Sequence, residues 1–143
     1  MLQRLLQRCS IVVLYINLRI SGEFLEPNAV TEALDIAPDV FYQKGDWNGF
    51  QGAEVLFTEG CWLRCAEAEN IKDLDSCLLS FLEPFMAKLE TFQSLLDSYD
   101  VSLRLDVKPE APQVNFHLAP STLALLASLG ISFDFMVYLV HPI

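Results

Sequence analysis

Apolar and polar residues alternate along three long stretches of the chain, a pattern typical of strands with one face in a core. These stretches are Val12–Ile20, Val101–Lys108 and Ile131–Val140. Two shorter stretches, Gly60–Ala66 and Val114–Leu118, alternate in the same way. We therefore predict five strands, of which the third and fourth along the chain would form a hairpin across a proline-rich turn.

Apolar residues at three- and four-residue steps predict helices between these strands. A short helix should cover Pro27–Leu34, and a longer helical region should cover Asn70–Leu96. Pro84 is expected to break or kink the longer region, because proline lacks the N–H that a helix interior needs. A last helix should open at Pro120 and end at Gly130.

The resulting order, β-α-β-α-β-β-α-β, predicts a two-layer α+β sandwich. Alternating strands need only one covered face, so we expect a mostly antiparallel sheet of about five strands with helices on one face. Residues 1–143 are expected to form a single α+β domain. The segment Ile36–Gly52 has no steady period and is predicted to be a long connecting loop, a kind of segment that is often functional.

The opposite face of such a sheet would stay open, and its composition makes it the first candidate for a site. The outward positions are predicted to be Tyr15, Asn17, Arg19, Trp62, Arg64, Arg104, Asp106, Asn115, His117, Asp134 and Tyr138. Aromatic residues and arginines among polar groups are typical of interface hot spots. Cross-strand ion pairs and aromatic pairs on an ordinary solvated sheet would produce the same composition.

Asp46 and Trp47, inside the long loop, form a second candidate. Gly45 and Asp46 are turn-forming residues, which explains them without a function. An exposed tryptophan beside a charged turn could equally contact a partner.

The chain is acidic, with 9 Lys and Arg against 19 Asp and Glu, a formal net charge of -10. Such a field repels nucleic acids and anionic lipid surfaces and favours basic partners. An acidic surface also serves solubility alone. The apolar run Ile11–Ile16 is too short to span a bilayer and no cleavage site follows it. We therefore expect a cytoplasmic protein that binds neither nucleic acid nor membranes.

Catalytic motifs are absent from the sequence: it has no glycine-rich phosphate loop, HExxH or nucleophile elbow. Cys61 and Cys65, with His117 and His141, could in principle complete a zinc site. However, both cysteines are predicted on the inward face of their strand and lack the tight spacing of structural zinc ligands, which favours buried free thiols. We expect no enzyme activity, no metal and no cofactor.

Four stretches of the sequence resemble one known family. They are Leu18–Pro27, Leu34–Pro38 leading to Lys44–Asp46, Trp62–Leu63, and Leu129–Asp134. Together they resemble the bacterial family known as domain of unknown function 4279, over roughly Ile11–Tyr138. Family members often have a basic residue before the Lys-Gly-Asp and a threonine after the proline, where this chain has Gln43 and Asp39. The resemblance implies a bacterial cytosolic protein and supplies no activity or catalytic residue.

These observations lead us to expect a non-enzymatic protein-binding module. Its most concrete form is an immunity-type protein that neutralises a basic bacterial toxin, by analogy with other small acidic proteins of orphan families. The expected contact residues are Tyr15, Arg19, Asp46, Trp47, Trp62, Arg64 and Arg104. The alternative is a small-ligand-binding or regulatory domain that holds its ligand between the open sheet and the loop of residues 36–52.

Overall fold

A computed structural model describes residues 11–48, 55–109 and 115–138 of the chain. Within these ranges the chain forms a five-stranded sheet, a two-stranded hairpin and four α-helices. The elements in chain order are β1 (Ile11–Gly22), α1 (Pro27–Leu34), β2 (Val40–Tyr42), β3 (Trp47–Asn48), β4 (Val55–Leu56), β5 (Gly60–Asn70), α2 (Leu74–Met86), α3 (Leu89–Ser98), β6 (Asp100–Pro109), α4 (Pro120–Leu129) and β7 (Ser132–Val137).

The large sheet has the strand order β2-β5-β1-β6-β7, with β1 at its centre. Three of its four strand pairings are antiparallel, and the pairing of β6 with β7 is parallel. The strands β3 and β4 pair with each other outside this sheet. The predicted α+β class, with a mostly antiparallel sheet of five strands, is confirmed.

One face of the sheet carries the hydrophobic core. Along β1 every second side chain from Leu14 to Ile20 is fully buried, as the alternation in the sequence predicts. All four helices contribute side chains to this same core: they include Leu34 of α1, Phe85 of α2, Phe92 of α3 and Leu129 of α4. The helices therefore cover a single face, and no helix of the described ranges covers the opposite one, which we call the open face.

The predicted hairpin after β6 is wrong. Residues 115–119 do not form a strand, and β6 instead pairs with the parallel strand β7, beginning with Ser102 opposite Ser132. A parallel neighbour cannot follow a tight turn, so the chain must cross over the core face before it returns. The helix α4 makes that crossover, and it begins at Pro120 and ends at Gly130 in a left-handed conformation, as predicted.

Two further predictions needed correction. The helical region breaks after Met86 rather than at Pro84, which lies within the last turn of α2. The predicted loop 36–52 contains two short strands, β2 and β3, and its residues 49–52 lie outside the described ranges. The helix Pro27–Leu34 has the predicted bounds.

None of the helices in the described ranges is long and apolar enough to cross a membrane.

Candidate functional site

A depression of about 500 Å³ occupies the middle of the open face. All five strands of the sheet contribute to it, because every second residue of each strand points to this side. The side chains that line it are Asn17, Arg19, Val40, Tyr42, Cys61, Leu63, Ser102, Arg104, Asp106 and Asp134. Two arginines and two carboxylates thus line the depression together with the apolar side chains of Val40 and Leu63.

Asp106 organises one side of the depression. It is only 7% exposed, and its Oδ2 accepts hydrogen bonds from Asn17 Nδ2 at 3.0 Å and from Arg104 Nη2 at 3.2 Å. Arg104 Nε also lies 2.9 Å from Asp106 Oδ1, an ionic contact without hydrogen-bond geometry. A buried carboxylate needs such partners, because an isolated charge away from water is very costly. The contacts fix the position of the half-exposed Arg104 guanidinium.

Arg19 lies on the other side of the depression. Its Nη2 is 3.0 Å from Glu59 Oε1, and both side chains are about half exposed. Partial burial acts to lower the pKa of Arg19, but contacts with Cys61, Tyr42 and Glu59 outweigh it, so the pKa is raised. The guanidinium therefore keeps its positive charge at every physiological pH.

Two titratable side chains of β2 and β5 have raised pKa values. Burial, followed by contact with Cys61, raises the pKa of Tyr42, whose ring stacks on Phe57 with centroids 3.6 Å apart. Burial, and then the charges of Asp39 and Asp106, raise the pKa of Cys65. A nucleophilic cysteine needs the opposite shift, since the thiolate is the reactive form.

Three of the predicted contact residues lie on the open face. Arg19 and Arg104 line the depression, and Tyr15 lies on the same face of β1 farther along the sheet. Asn17, Asp106 and Asp134 line the depression as well. The alternation of β1, β6 and β7 was sufficient to place all six.

Trp62 and Arg64 lie on the opposite face, so their predicted placement is wrong. Trp62 pairs with Ile20 in the β1–β5 register and is 0% exposed, and its Nε1 donates to Thr31 Oγ1 at 3.1 Å. Arg64 Nη1 donates to the carbonyl of Ala37 at 2.7 Å. Neither side chain therefore belongs to the open face.

Cys61 and Cys65 lie on the open face for the same reason. Their predicted placement on the inward face is therefore wrong. The alternation of residues in β5 predicted the wrong buried face because both faces of the strand are largely apolar near its start. The residues that identify the buried face lie farther along the strand. Ala66 and Ala68 share the face of Trp62, whereas Glu67 lies on the other face. Within the described ranges no three His, Cys, Asp or Glu side chains are grouped to hold a metal ion, and His141 lies outside those ranges.

Asp46 and Trp47 lie beyond the edge strand β2, away from the depression. Asp46 closes a β-turn: its backbone N–H donates to the carbonyl of Gln43, and its Oδ2 accepts from the Gln43 N–H at 2.8 Å. Gly45 in this turn has φ 89°, a conformation that favours glycine. Trp47 is 60% exposed. The turn explains Asp46 structurally, whereas Trp47 remains available to a partner.

The strand β2 contributes to the depression, although the sequence pattern does not predict it as a strand. Val40 and Tyr42 line the depression, and Asp39 anchors the strand through its N–H to the Leu63 carbonyl and its Oδ2 to the Cys65 N–H at 2.7 Å. The alternation of Val40, Phe41 and Tyr42 is the available signal, but a three-residue strand is too short for periodicity to be decisive.

Two of the stretches that carry the family resemblance meet in the structure. Lys44, within the turn that Gln43 and Asp46 close, forms an ion pair with Glu23, and its Nζ lies 5.2 Å from the ring centroid of Phe24. These contacts hold the turn against the end of β1. A family model with the description Domain of unknown function (DUF4279) matches residues 13–140, nearly the whole chain.

The chain belongs to this family. Comparisons with curated proteins and with solved structures found no match. In this chain the sheet of the DUF4279 domain presents a polar depression on its open face.

Proposed function

We propose that this DUF4279 protein is a non-enzymatic module that binds a partner protein on the open face of its sheet. The observation that carries the proposal is the central depression, in which Arg19 and Arg104 are each held by a carboxylate. Side chains that are already ordered lose little conformational entropy on binding, so such a surface is preorganised.

Exposed apolar side chains at the adjoining edge of the sheet favour a protein as the partner. Val40 of β2 lines the depression and is about half exposed, and Trp47 and Leu56 of the following β3–β4 pair are more than half exposed. Large exposed apolar patches on a protein surface often mark interaction sites. A partner that covers the depression could extend over this edge and bury these residues.

The most concrete form of the proposal is an immunity-type protein that neutralises a basic toxin in the bacterial cytoplasm. The net charge of -10 supports this form, because an acidic inhibitor and a basic target associate quickly. The arginines in the depression do not oppose it, since Glu59 and Asp106 already neutralise them within the chain.

A pull-down from the source organism, with matched variants, tests the proposal. Wild-type protein, Arg19→Ala and Lys88→Ala serve as baits, and co-purifying proteins are identified by mass spectrometry. Each variant removes one exposed positive charge, but only Arg19 lies at the depression. We expect a stoichiometric partner on wild type and Lys88→Ala, with weaker capture on Arg19→Ala. Equal capture on all three baits would overturn the assignment to the open face.

Expression of the captured partner then tests the immunity form. The partner alone should arrest growth, and co-expression of this protein should restore it. A partner that has no effect on growth would contradict toxin neutralisation while leaving the binding module intact.

The size of the depression also supports a second candidate, a small-ligand-binding or regulatory domain. Ligand pockets commonly enclose about 300–1,000 Å³, and this depression has a volume of about 500 Å³. A ligand held there should raise the melting temperature of the isolated wild-type protein, and raise it less for Arg19→Ala. A library screen without any such shift would reject this alternative.

A further inference from the structure

Lys108 lies between two tyrosine rings on the open face. Its Nζ is 5.2 Å from the ring centroid of Tyr15 and 5.4 Å from that of Tyr138. The three side chains come from neighbouring parts of the sheet: Tyr15 from β1, Lys108 from β6, and Tyr138 from the residue that follows β7. Both rings are within the distance at which an aromatic face attracts a cation.

An exposed carboxylate, Glu67, adds to the attraction for a cation at this position. Glu67 lies opposite Tyr15 in the β1–β5 register, and Asp106 lies opposite it in the β1–β6 register. Asp106 is occupied by Arg104 and Asn17, whereas Glu67 is exposed. Two aromatic rings beside acidic residues are a suitable environment for an ammonium or guanidinium group.

The rings remain accessible although Lys108 occupies the space between them. Lys108 is exposed, Tyr138 is 45% exposed and Tyr15 is half-buried. Lysine has a long, flexible side chain, and its charge can return to water at little cost. An exposed cation–π contact corresponds to only about two- to fivefold in affinity, so a cation from another molecule can replace it.

We propose that Tyr15 and Tyr138 form a receptor for a cationic side chain of the partner, and that Lys108 occupies this receptor in the unbound protein. This inference rests on the proposed function and names the chemistry that the partner must supply, a lysine or arginine side chain. The two rings would bind a basic group of the partner on the open face, where Arg19 and Arg104 are already paired with carboxylates.

The test uses an acetylated hexa-arginine peptide as the probe, titrated into the full chain while the tyrosine ring signals are followed by NMR. The variants are Lys108→Ala, Lys88→Ala, Lys108→Ala with Tyr138→Leu, and Lys108→Ala with Tyr15→Phe. Lys88→Ala is the matched control, since it removes one positive charge away from the rings. Tyr15→Phe keeps the aromatic face, and Tyr138 is exposed enough for its replacement to leave the core intact.

We expect Lys108→Ala to bind the peptide about two- to fivefold more tightly than wild type, with shifts of the Tyr15 and Tyr138 ring signals. Addition of Tyr138→Leu should abolish the gain, and addition of Tyr15→Phe should preserve it. Equal affinities of Lys108→Ala and Lys88→Ala, or a gain that persists without the Tyr138 ring, would overturn the inference.

The same variants separate this inference from the proposed function. If a partner is captured through Arg19 but Lys108→Ala and Tyr138→Leu leave its affinity unchanged, the receptor is wrong and the binding module stands. If the peptide binds the rings as expected while no partner is captured, the receptor stands as a cation site and the proposed function fails.

Discussion

Among the glycines of the described ranges, Gly60, the first residue of β5, has the least room for a side chain. A Cβ atom there would lie 2.4 Å from the carbonyl oxygen of Leu25, a backbone atom that cannot move alone. At Gly22 the nearest atom would be a ring carbon of Tyr99 at 2.8 Å, and a side chain can turn away. We expect Gly60→Ala to lower the free energy of unfolding by roughly 1–3 kcal/mol, and Gly22→Ala to lower it less. Urea denaturation measures both, and equal midpoints for the two variants would contradict this account.

Asp106 presents a second test at the level of single residues. Arg104→Met would leave its carboxylate buried with Asn17 as the remaining hydrogen-bond donor, at a cost of about 2 kcal/mol in unfolding free energy. Arg104→Met combined with Asp106→Leu replaces the whole ion pair by apolar groups, and we expect it to recover most of the loss. Chemical denaturation of the two variants and wild type gives the comparison. A double variant less stable than Arg104→Met would show that the carboxylate is not the source of the cost.

Single residues also show the limit of the sequence analysis at the candidate site. Arg19 and Arg104 could be placed on the open face because β1 and β6 alternate cleanly between apolar and polar residues. The face of Trp62 could not be predicted, because Cys61, Trp62 and Leu63 are consecutive apolar residues and give both faces of β5 a similar composition. The register with Ile20 decides the question, and register is a long-range property of the fold.

At the level of elements, Asp75 links two helices that are distant in the sequence. It lies in the first turn of α2, and its Oδ1 accepts hydrogen bonds from the Thr122 hydroxyl at 2.7 Å and the Ala119 N–H at 3.0 Å, both at the start of α4. It therefore supplies the cap that α4 lacks locally. From the sequence, this aspartate is explained by its position near the start of its own helix, and only the fold reveals its contacts with α4.

These contacts make the stability of the protein depend on pH. The hydrogen bond from Thr122, and then that from Ala119, lower the pKa of Asp75 in the folded state. A lowered carboxyl pKa stabilises the fold above the pKa of the unfolded chain, about 3.9, and this contribution is lost as pH falls through the lower folded value. We expect Asp75→Asn to lower the urea midpoint at pH 7 and to approach wild type as the pH falls below 3.9.

Asp73→Asn is the control for this prediction. Asp73 precedes α2 and its side chain makes no capping hydrogen bond, so its replacement should leave the midpoint nearly unchanged at both pH values. If the urea midpoints of Asp75→Asn and wild type differ by the same amount at every pH, the negative charge of Asp75 does not contribute to the stability of α4.

The elements differ in how far the sequence determines them. The helix α1 could be predicted with its bounds, because Pro27 and the apolar spacing act locally. The pairing of β6 could not, since alternation identifies a strand but not its neighbour. The parallel partner β7 follows from the crossover helix α4, and α4 is held in place by Asp75 of α2.

At the scale of the whole molecule, the net charge of -10 produces a field that extends beyond any single contact. The open face lies within that field, although Arg19 and Arg104 are neutralised locally by Glu59 and Asp106. If the proposed partner is basic, the whole acidic surface will attract it at long range, and contacts on the open face will act only after encounter. Long-range attraction and short-range contact should consequently respond differently to salt.

We expect the association rate with the captured partner to fall at least about tenfold when ionic strength rises from about 0.01 to about 0.15 M, because the screening length shrinks from about 30 to about 8 Å. The dissociation rate should change little, since it reflects contacts at the depression. Arg19→Ala should have the converse effect, with faster dissociation and a similar salt dependence of association. Stopped-flow or surface plasmon resonance measures both rates. An association rate independent of salt would exclude a basic partner, and with it toxin neutralisation by charge. Binding through the open face would still be supported if Arg19→Ala dissociates faster than wild type.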